Sequence, residues 1–198
     1  RIAPKQVCII PIRDDEKVNS VCNELNEKLL SKDIISYIDN TDKSAGFKFA
    51  EAEVNGIPVR IEVGPRDLEN NQALMKARDE QEKITVSLDE AVALIEKELE
   101  VMQTRLLDKA RAFRAENSHE HIDTLEQLKG HIAKSEEEGN IPGWILAGWC
   151  GDDVCEGNVK EETKFTTRNI PFNPPAQKHT CINCGKESKH TVWFARSY

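Results

Sequence analysis

No stretch of the chain approaches the ~18 consecutive apolar residues that a membrane span requires, and no secretory leader opens it. No membrane partner is therefore expected. Basic residues are in deficit: 27 Lys and Arg against 35 Asp and Glu leave a formal net charge of −8. That argues against a non-specific nucleic-acid coat, which is basic overall. A specific RNA site stays open, because at ordinary salt charges more than ~10 Å apart are screened and local groups decide. Internal repeats and low-complexity tracts are lacking too, which removes solenoids and disordered linkers from consideration. Even an initiating methionine is missing. Arg1 leads almost at once into a strand-like segment, so the chain reads as cut from a longer protein.

What is present fits a soluble globular protein, with 38% hydrophobic and 31% charged residues. Its 198 residues suffice for one large domain or two small ones. Val7 to Ile12 is a short apolar run of the kind that forms a buried strand, and Ile34 to Ile38 is a second. Between them Val18, Val21, Cys22, Leu25 and Leu29 fall at helical spacing. This strand–helix–strand order favours a βαβ unit with parallel strands. Ala45 to Val54 reads as a second helix. Val59, Ile61 and Val63 then alternate with Arg60 and Glu62, which predicts a half-buried strand with two charged side chains on its open face.

Gln72 to Arg78 and Glu82 to Leu88 are expected to pair as a hairpin across Asp79–Gln81. From Leu88 the residues Val92, Ile95, Leu99, Met102, Leu106, Ala110 and Phe113 step by three and four. They predict an amphipathic helix of roughly 28 residues that links two domains, 1–104 and 105–198. A stripe under four heptads long is expected to pack on its own domain rather than in a coiled coil. Asp123-Thr-Leu-Glu126 has the pattern of a capping box and opens a helix through Ile132, which Gly139 to Gly143 ends. Trp144 to Trp149 and His190 to Ala195 read as strands.

Cys8 and Cys22, in an apolar run and on a helix face, are expected to be buried core thiols. The other four cysteines form two close pairs: Cys150 with Cys155, and Cys181 with Cys184 followed by Gly185. In a chain that looks cytoplasmic, such pairs favour metal over disulfides. Tight turns present paired sulfurs at the tetrahedral geometry of zinc, and Gly185 suits the positive φ of such a knuckle. Four thiolates close the shell, so the expected zinc is structural and His179, nearby, is not needed as a ligand. Unligated thiols or a disulfide pair are the competing account.

Glu53 and Arg60 flank the turn Asn55-Gly56, Arg66 follows in the next loop, and Lys83 opens a later strand. An unstacked guanine offers two N–H donors on one edge and the O6 and N7 acceptors on another. A carboxylate can accept from the first, and a guanidinium or ammonium can donate to the second. On pattern alone a surface salt-bridge ladder is the better account, since such ladders are common and contribute little.

Taken together, Ile9-Ile-Pro-Ile12, Gly46-Phe-Lys-Phe49, Gly56-Ile-Pro-Val-Arg-Ile-Glu-Val-Gly-Pro-Arg-Asp67, Thr166-Thr-Arg-Asn-Ile-Pro-Phe172 and Phe194-Ala-Arg-Ser-Tyr198 resemble prolyl-tRNA synthetase of the archaeal/eukaryote-like type. The resemblance implies an α/β fold: a mixed-sheet class II synthetase anticodon-binding domain, then a small α+β zinc-binding domain. It implies that Glu53, Arg60 and Arg66 contact the two guanines of proline anticodons, with Lys83 or a neighbour joining them. Arg66 stands where the family often has lysine, which keeps the charge and changes the geometry. The resemblance also directs the carboxylate of Tyr198 toward the active site of a catalytic domain, where ATP, magnesium and proline would act. The implied partners are the tRNA for proline, that catalytic domain, and a second copy in a homodimer. The implied reaction is ATP-dependent ligation of proline to tRNA in the cytoplasm, with no activity from this stretch alone. The runner-up is a stand-alone accessory module of anticodon-domain fold that binds RNA or protein.

Overall fold

A computed structural model describes residues 3–196, which divide into two compact units between Asp108 and Lys109. Tyr198, with its expected role, lies outside the described residues.

In the first unit the apolar run becomes β1 (Val7–Pro11). Asp15 caps α1 (Glu16–Leu30) by accepting from the N–H groups of Lys17 and Val18. The chain returns through β2 (Ser36–Ile38), α2 (Ala45–Val54) and β3 (Val59–Val63). A single turn, α3 (Pro65–Glu69), leads into β4 (Gln72–Ala77) and β5 (Ile84–Ser87). The sheet has the order β2-β1-β3-β4-β5. Its first three strands are parallel, and β4 and β5 close it as the expected antiparallel hairpin. The class is therefore mixed α/β, as expected.

Side chains alternate across β1 and β3. Val7, Ile9, Val59, Ile61 and Val63 point into a core shared with Val18, Cys22, Leu25 and Leu29 of α1. Ile95 and Leu99 of α4 (Ala91–Glu116) complete that layer. On the opposite face Cys8 and Ile10 pack with Ala52 and Ile57 under α2, beside Tyr37 and Phe49. This second layer corrects the reading of β3. All five of its residues are buried, Arg60 and Glu62 included, because α2 and Phe49 cover the face expected to be open. Cys8 and Cys22 are fully buried, as expected, and burial pushes the Cys22 thiol up to about 11.

The apolar stripe of α4 is half used. Ala91, Ile95, Leu99 and Met102 are buried, whereas Leu106 and Phe113 remain exposed. Arg105, on the same helix, grips the β4–β5 turn. It donates to both oxygens of Asp79 at 2.9 and 2.8 Å and to Glu98 at 2.7 Å, and these bonds raise its pKa above the ordinary value. Arg78, in that turn, also donates to the carbonyl of Glu53 at 3.2 Å. The turn that carries Lys83 is thus tied to both α4 and α2.

The second unit contains β6 (Ser118–His119), α5 (Leu125–Glu137), β7 (Trp144–Trp149), α6 (Asp153–Thr163), β8 (Phe165–Asn169) and β9 (His190–Arg196). The sheet order is β6-β7-β9-β8. Its core joins Leu125, Leu128 and Ile132 of α5, Val159 of α6, Ile145 and Ala147 of β7, and Phe165, Val192 and Phe194. The capping box sits one residue later than expected. Thr124 accepts from Gln127 N–H, and the Gln127 side chain accepts from Thr124 N–H. Asp123 faces Lys178 instead, at 2.8 Å. The α3, α6, β6 and β8 elements were not anticipated.

Gly148 sits where β7 meets the backbone of the segment before β9. A Cβ there would lie 2.1 Å from the carbonyl oxygen of Thr180. Ile182 N–H donates to Gly148 O across that contact at 2.9 Å. Replacing Gly148 with Ala is expected to destabilise the second unit by ~1–3 kcal/mol, the usual cost of forced overpacking. A thermal melt in which the Gly148→Ala protein matched wild type would show that the backbone can part without loss.

His119 and His131 pack with ring centroids 4.3 Å apart and planes tilted by 60°, and His131 Nε2 donates to Pro142 O at 2.9 Å. Burial, aided by His131, holds the His119 pKa below its ordinary value. The fold therefore favours neutral His119. Its contribution is complete above an unfolded pKa of ~6.5 and is lost as pH falls through the folded value. The melting temperature of the second unit is expected to drop between pH 7.5 and 5.5, with a shallower drop in His119→Gln. Equal slopes for the two proteins would remove His119 as the cause.

Candidate nucleic-acid interface and metal centre

On the α2 face of the first unit, four charged side chains gather around one aromatic ring. Arg60 projects from β3 beneath α2 and donates from Nε to Glu62 Oε1 at 3.0 Å. Its Nη1 reaches Glu53 Oε1 on α2 at 3.1 Å and the carbonyl of Phe49 at 3.3 Å. Lys83, immediately before β5, donates from Nζ to Glu62 Oε2 at 2.8 Å. The Phe49 ring meets the Arg60 guanidinium carbon at 4.4 Å and Lys83 Nζ at 4.5 Å, both within cation–π range.

The group is electrically balanced, two carboxylates against two cations, but unevenly exposed. Side-chain exposure is 55% for Glu53 and 37% for Lys83, against 6% for Arg60 and 5% for Glu62. Glu53 and Lys83 therefore present the surface, and Arg60 and Glu62 lie behind it. Among the described contacts Glu53 Oε2 has no partner, so one carboxylate oxygen is open to a ligand.

Of the expected residues, the structure brings together Glu53, Arg60 and Lys83. Arg66 stands apart. It is exposed on α3, makes no ion pair among the described residues, and offers only its carbonyl, to Asn70 at 3.1 Å. Sequence reasoning missed Glu62 and Phe49. Both had a signal: Glu62 alternates with Arg60 on one strand, and Phe49 lies one helical turn before Glu53.

The second unit gathers the four expected cysteines. Cys150 follows β7 directly, and Cys155 lies in the first turn of α6, whose N-cap Asp152 accepts from Val154 N–H. Cys181 is bound to the end of β7 through the bridge to Gly148. Gly185 N–H donates back to Cys181 O at 2.9 Å, and the positive φ of Gly185, 68°, closes the knuckle as expected. All four sulfurs lie within 4.8 Å of one another, with Cys150 and Cys184 at 4.0 Å. This set could hold a metal ion, and His179 is not part of it.

The thiols are not equivalent. Burial raises the pKa of Cys150. For Cys181 burial is outweighed by backbone hydrogen bonds from Cys184, Asn183 and Cys150, which bring the pKa down to about 7. For Cys155 a hydrogen bond from Asn183 lowers the pKa, but burial and the neighbouring thiols carry it up to about 12. Four thiols at this spacing and of this donor type suit an ion that takes thiolate ligands.

Known proteins match both halves of the chain. The family model "Anticodon binding domain" matches residues 6–98, and "Prolyl-tRNA synthetase, C-terminal" matches residues 134–198. A proline–tRNA ligase of Symbiobacterium thermophilum is 51% identical over 201 residues, covering 100% of this chain and 41% of that protein. One from Alkaliphilus oremlandii is 43% identical over 198 residues, with coverages of 100% and 40%. The crystal structure of prolyl-tRNA synthetase from Cryptosporidium parvum, complexed with L-proline and AMP, superposes with a TM-score of 0.81 at 32% identity. That match covers 99% of this chain and 42% of the other. The chain thus spans about two fifths of the length of the curated relatives it matches. With an anticodon-binding domain and a prolyl-tRNA synthetase C-terminal domain matched in tandem, the chain corresponds to the C-terminal region of prolyl-tRNA synthetases.

Proposed function

We propose that this chain supplies anticodon recognition and a zinc-stabilised module to a proline–tRNA ligase, which joins proline to its tRNA at the expense of ATP in the cytoplasm. The observation that carries this reading is the Glu53–Arg60–Glu62–Lys83 group around Phe49, placed within the anticodon-binding match. Proline, ATP and magnesium would act in the remaining part of such a ligase, and pairing of two copies would involve that part as well. The division of labour falls near 104, within α4.

In this reading a guanine of the anticodon leaves its stack and meets the exposed edge of the group. The open oxygen of Glu53 accepts from the base's N1–H and N2–H. Lys83 donates to O6 or N7 with the N–H groups that Glu62 leaves unused. Arg60 keeps Glu53 in place and turns the edge of its guanidinium toward the base. Arg66, exposed and unpaired among the described residues, serves a second guanine or an adjoining phosphate. Replacing Glu53 with Ala is expected to weaken binding of a proline anticodon stem-loop by ~1–3 kcal/mol, and to shrink its preference over an adenine-substituted loop. If wild-type protein bound guanine and adenine loops alike, guanine reading would be refuted.

In the second unit Cys150, Cys155, Cys181 and Cys184 would hold one zinc ion, whose bonds add folding energy and leave no position for water or substrate. Metal analysis of freshly purified, reduced protein is expected to return one zinc per chain. Chelation is expected to unfold the second unit while the first keeps its melting transition. Metal-free protein with an intact second transition would contradict this role.

A further inference from the structure

Glu62 is the least exposed member of the charged group and the one to which both cations are bound. Its residue is 4% exposed, and each oxygen takes a different cation: Oε1 from Arg60 at 3.0 Å, Oε2 from Lys83 at 2.8 Å. The same two cations lie against the Phe49 ring. Arg60, on β3, and Lys83, in the turn before β5, carry like charge, so without an anion between them they would repel across a site of low polarisability. Lys83 also stands outside any strand, on a flexible four-carbon stem. Its polar partner among the described residues is Glu62, which therefore sets where its remaining N–H groups point.

We infer that Glu62 is a positioning residue for base recognition: its buried carboxylate holds Arg60 and Lys83 at one spacing and keeps both from acting as free phosphate ligands. The inference rests on the reading of Glu53, Arg60 and Lys83 as the base-contacting group. Its consequence is a division between selectivity and plain attraction. With Glu62 ionised the group is neutral, so RNA gains little from charge alone and binding depends on the fit of a base edge. With that charge removed, the group carries a net positive charge and attracts any phosphate.

Two substitutions separate position from charge. Glu62→Gln keeps the shape and loses the charge; Glu62→Asp keeps the charge and withdraws it by one methylene. Binding of guanine and adenine anticodon stem-loops is measured across a salt series on the full chain, with thermal melts alongside. For Glu62→Gln the guanine preference is expected to fall about tenfold, the scale of one misplaced base contact. Its salt slope is expected to steepen by about 0.7, the value of one further phosphate on single-stranded RNA. For Glu62→Asp the preference is expected to fall while the slope stays at the wild-type value. The aspartate variant conserves charge balance and serves the test should the glutamine protein fail to fold. A purely structural Glu62 would lower the melting temperature in both variants and leave preference and slope unchanged, which would overturn the inference. A wild-type protein without guanine preference would instead remove the underlying reading, and the inference with it.

Discussion

A charge taken out of water must be met by an opposite charge or give up its ionisation, and in this chain that constraint shapes both candidate sites. Arg60 and Glu62 stand on the middle strand of the first unit's sheet, under α2, with 6% and 5% of their side chains exposed. Neither could be there alone. Together they satisfy one another, and each carries a second partner toward the surface: Arg60 takes Glu53, and Glu62 takes Lys83. The exposed groups are therefore held from beneath. That differs from a surface ladder of long flexible side chains, where the entropy of ordering cancels most of the attraction.

The second unit meets the same constraint with sulfur. Four thiols lie within 4.8 Å of one another, Cys155 and Cys181 both buried, on elements that also share a hydrophobic core. A β-strand end, the first turn of a helix and a glycine-closed knuckle converge there. As thiolates they would repel, and as thiols they would leave weak, poorly matched contacts. A shared cation resolves both problems, which is why the geometry favours metal more strongly than the spacing alone does.

Much of this was legible in the sequence, and the misses have identifiable causes. Continuous apolar runs, long helical stripes and paired cysteines are redundant signals, and β1, α1, α4 and the four-cysteine group came through intact. The β3 strand departs from its alternating pattern, which by itself indicates one open face. The neighbouring strand held the correction: Val7, Cys8, Ile9 and Ile10 are all apolar, so β1 is buried on both sides, and a parallel strand hydrogen-bonded to it shares that cover. α6 escaped because its buried residues are only Cys155, Val159 and Thr163, one thiol and one hydroxyl among them. β8 escaped because only Phe165 is fully buried along it. At α5 Asp123 and Thr124 are both good caps, and the choice fell to Gln127, which reaches back to Thr124.

In the proposed reading, buried compensation also reconciles an acidic protein with an acidic ligand. With a net charge of −8 the chain as a whole offers RNA no long-range attraction. Beyond ~10 Å that field is screened at ordinary salt, so what remains is what a base meets on contact. In the proposed reading it finds there a neutral group whose donors and acceptors are already aimed, and whose alignment is established during folding rather than during binding. Such a site gains little from phosphate and loses much from a wrong base edge, because an unmatched Glu53 or Lys83 would be drawn from water without a partner. Selectivity then follows from the absence of surplus positive charge as much as from the contacts themselves. Adding a lysine beside Glu53 would therefore raise affinity for RNA in general while eroding the distinction between one anticodon and another.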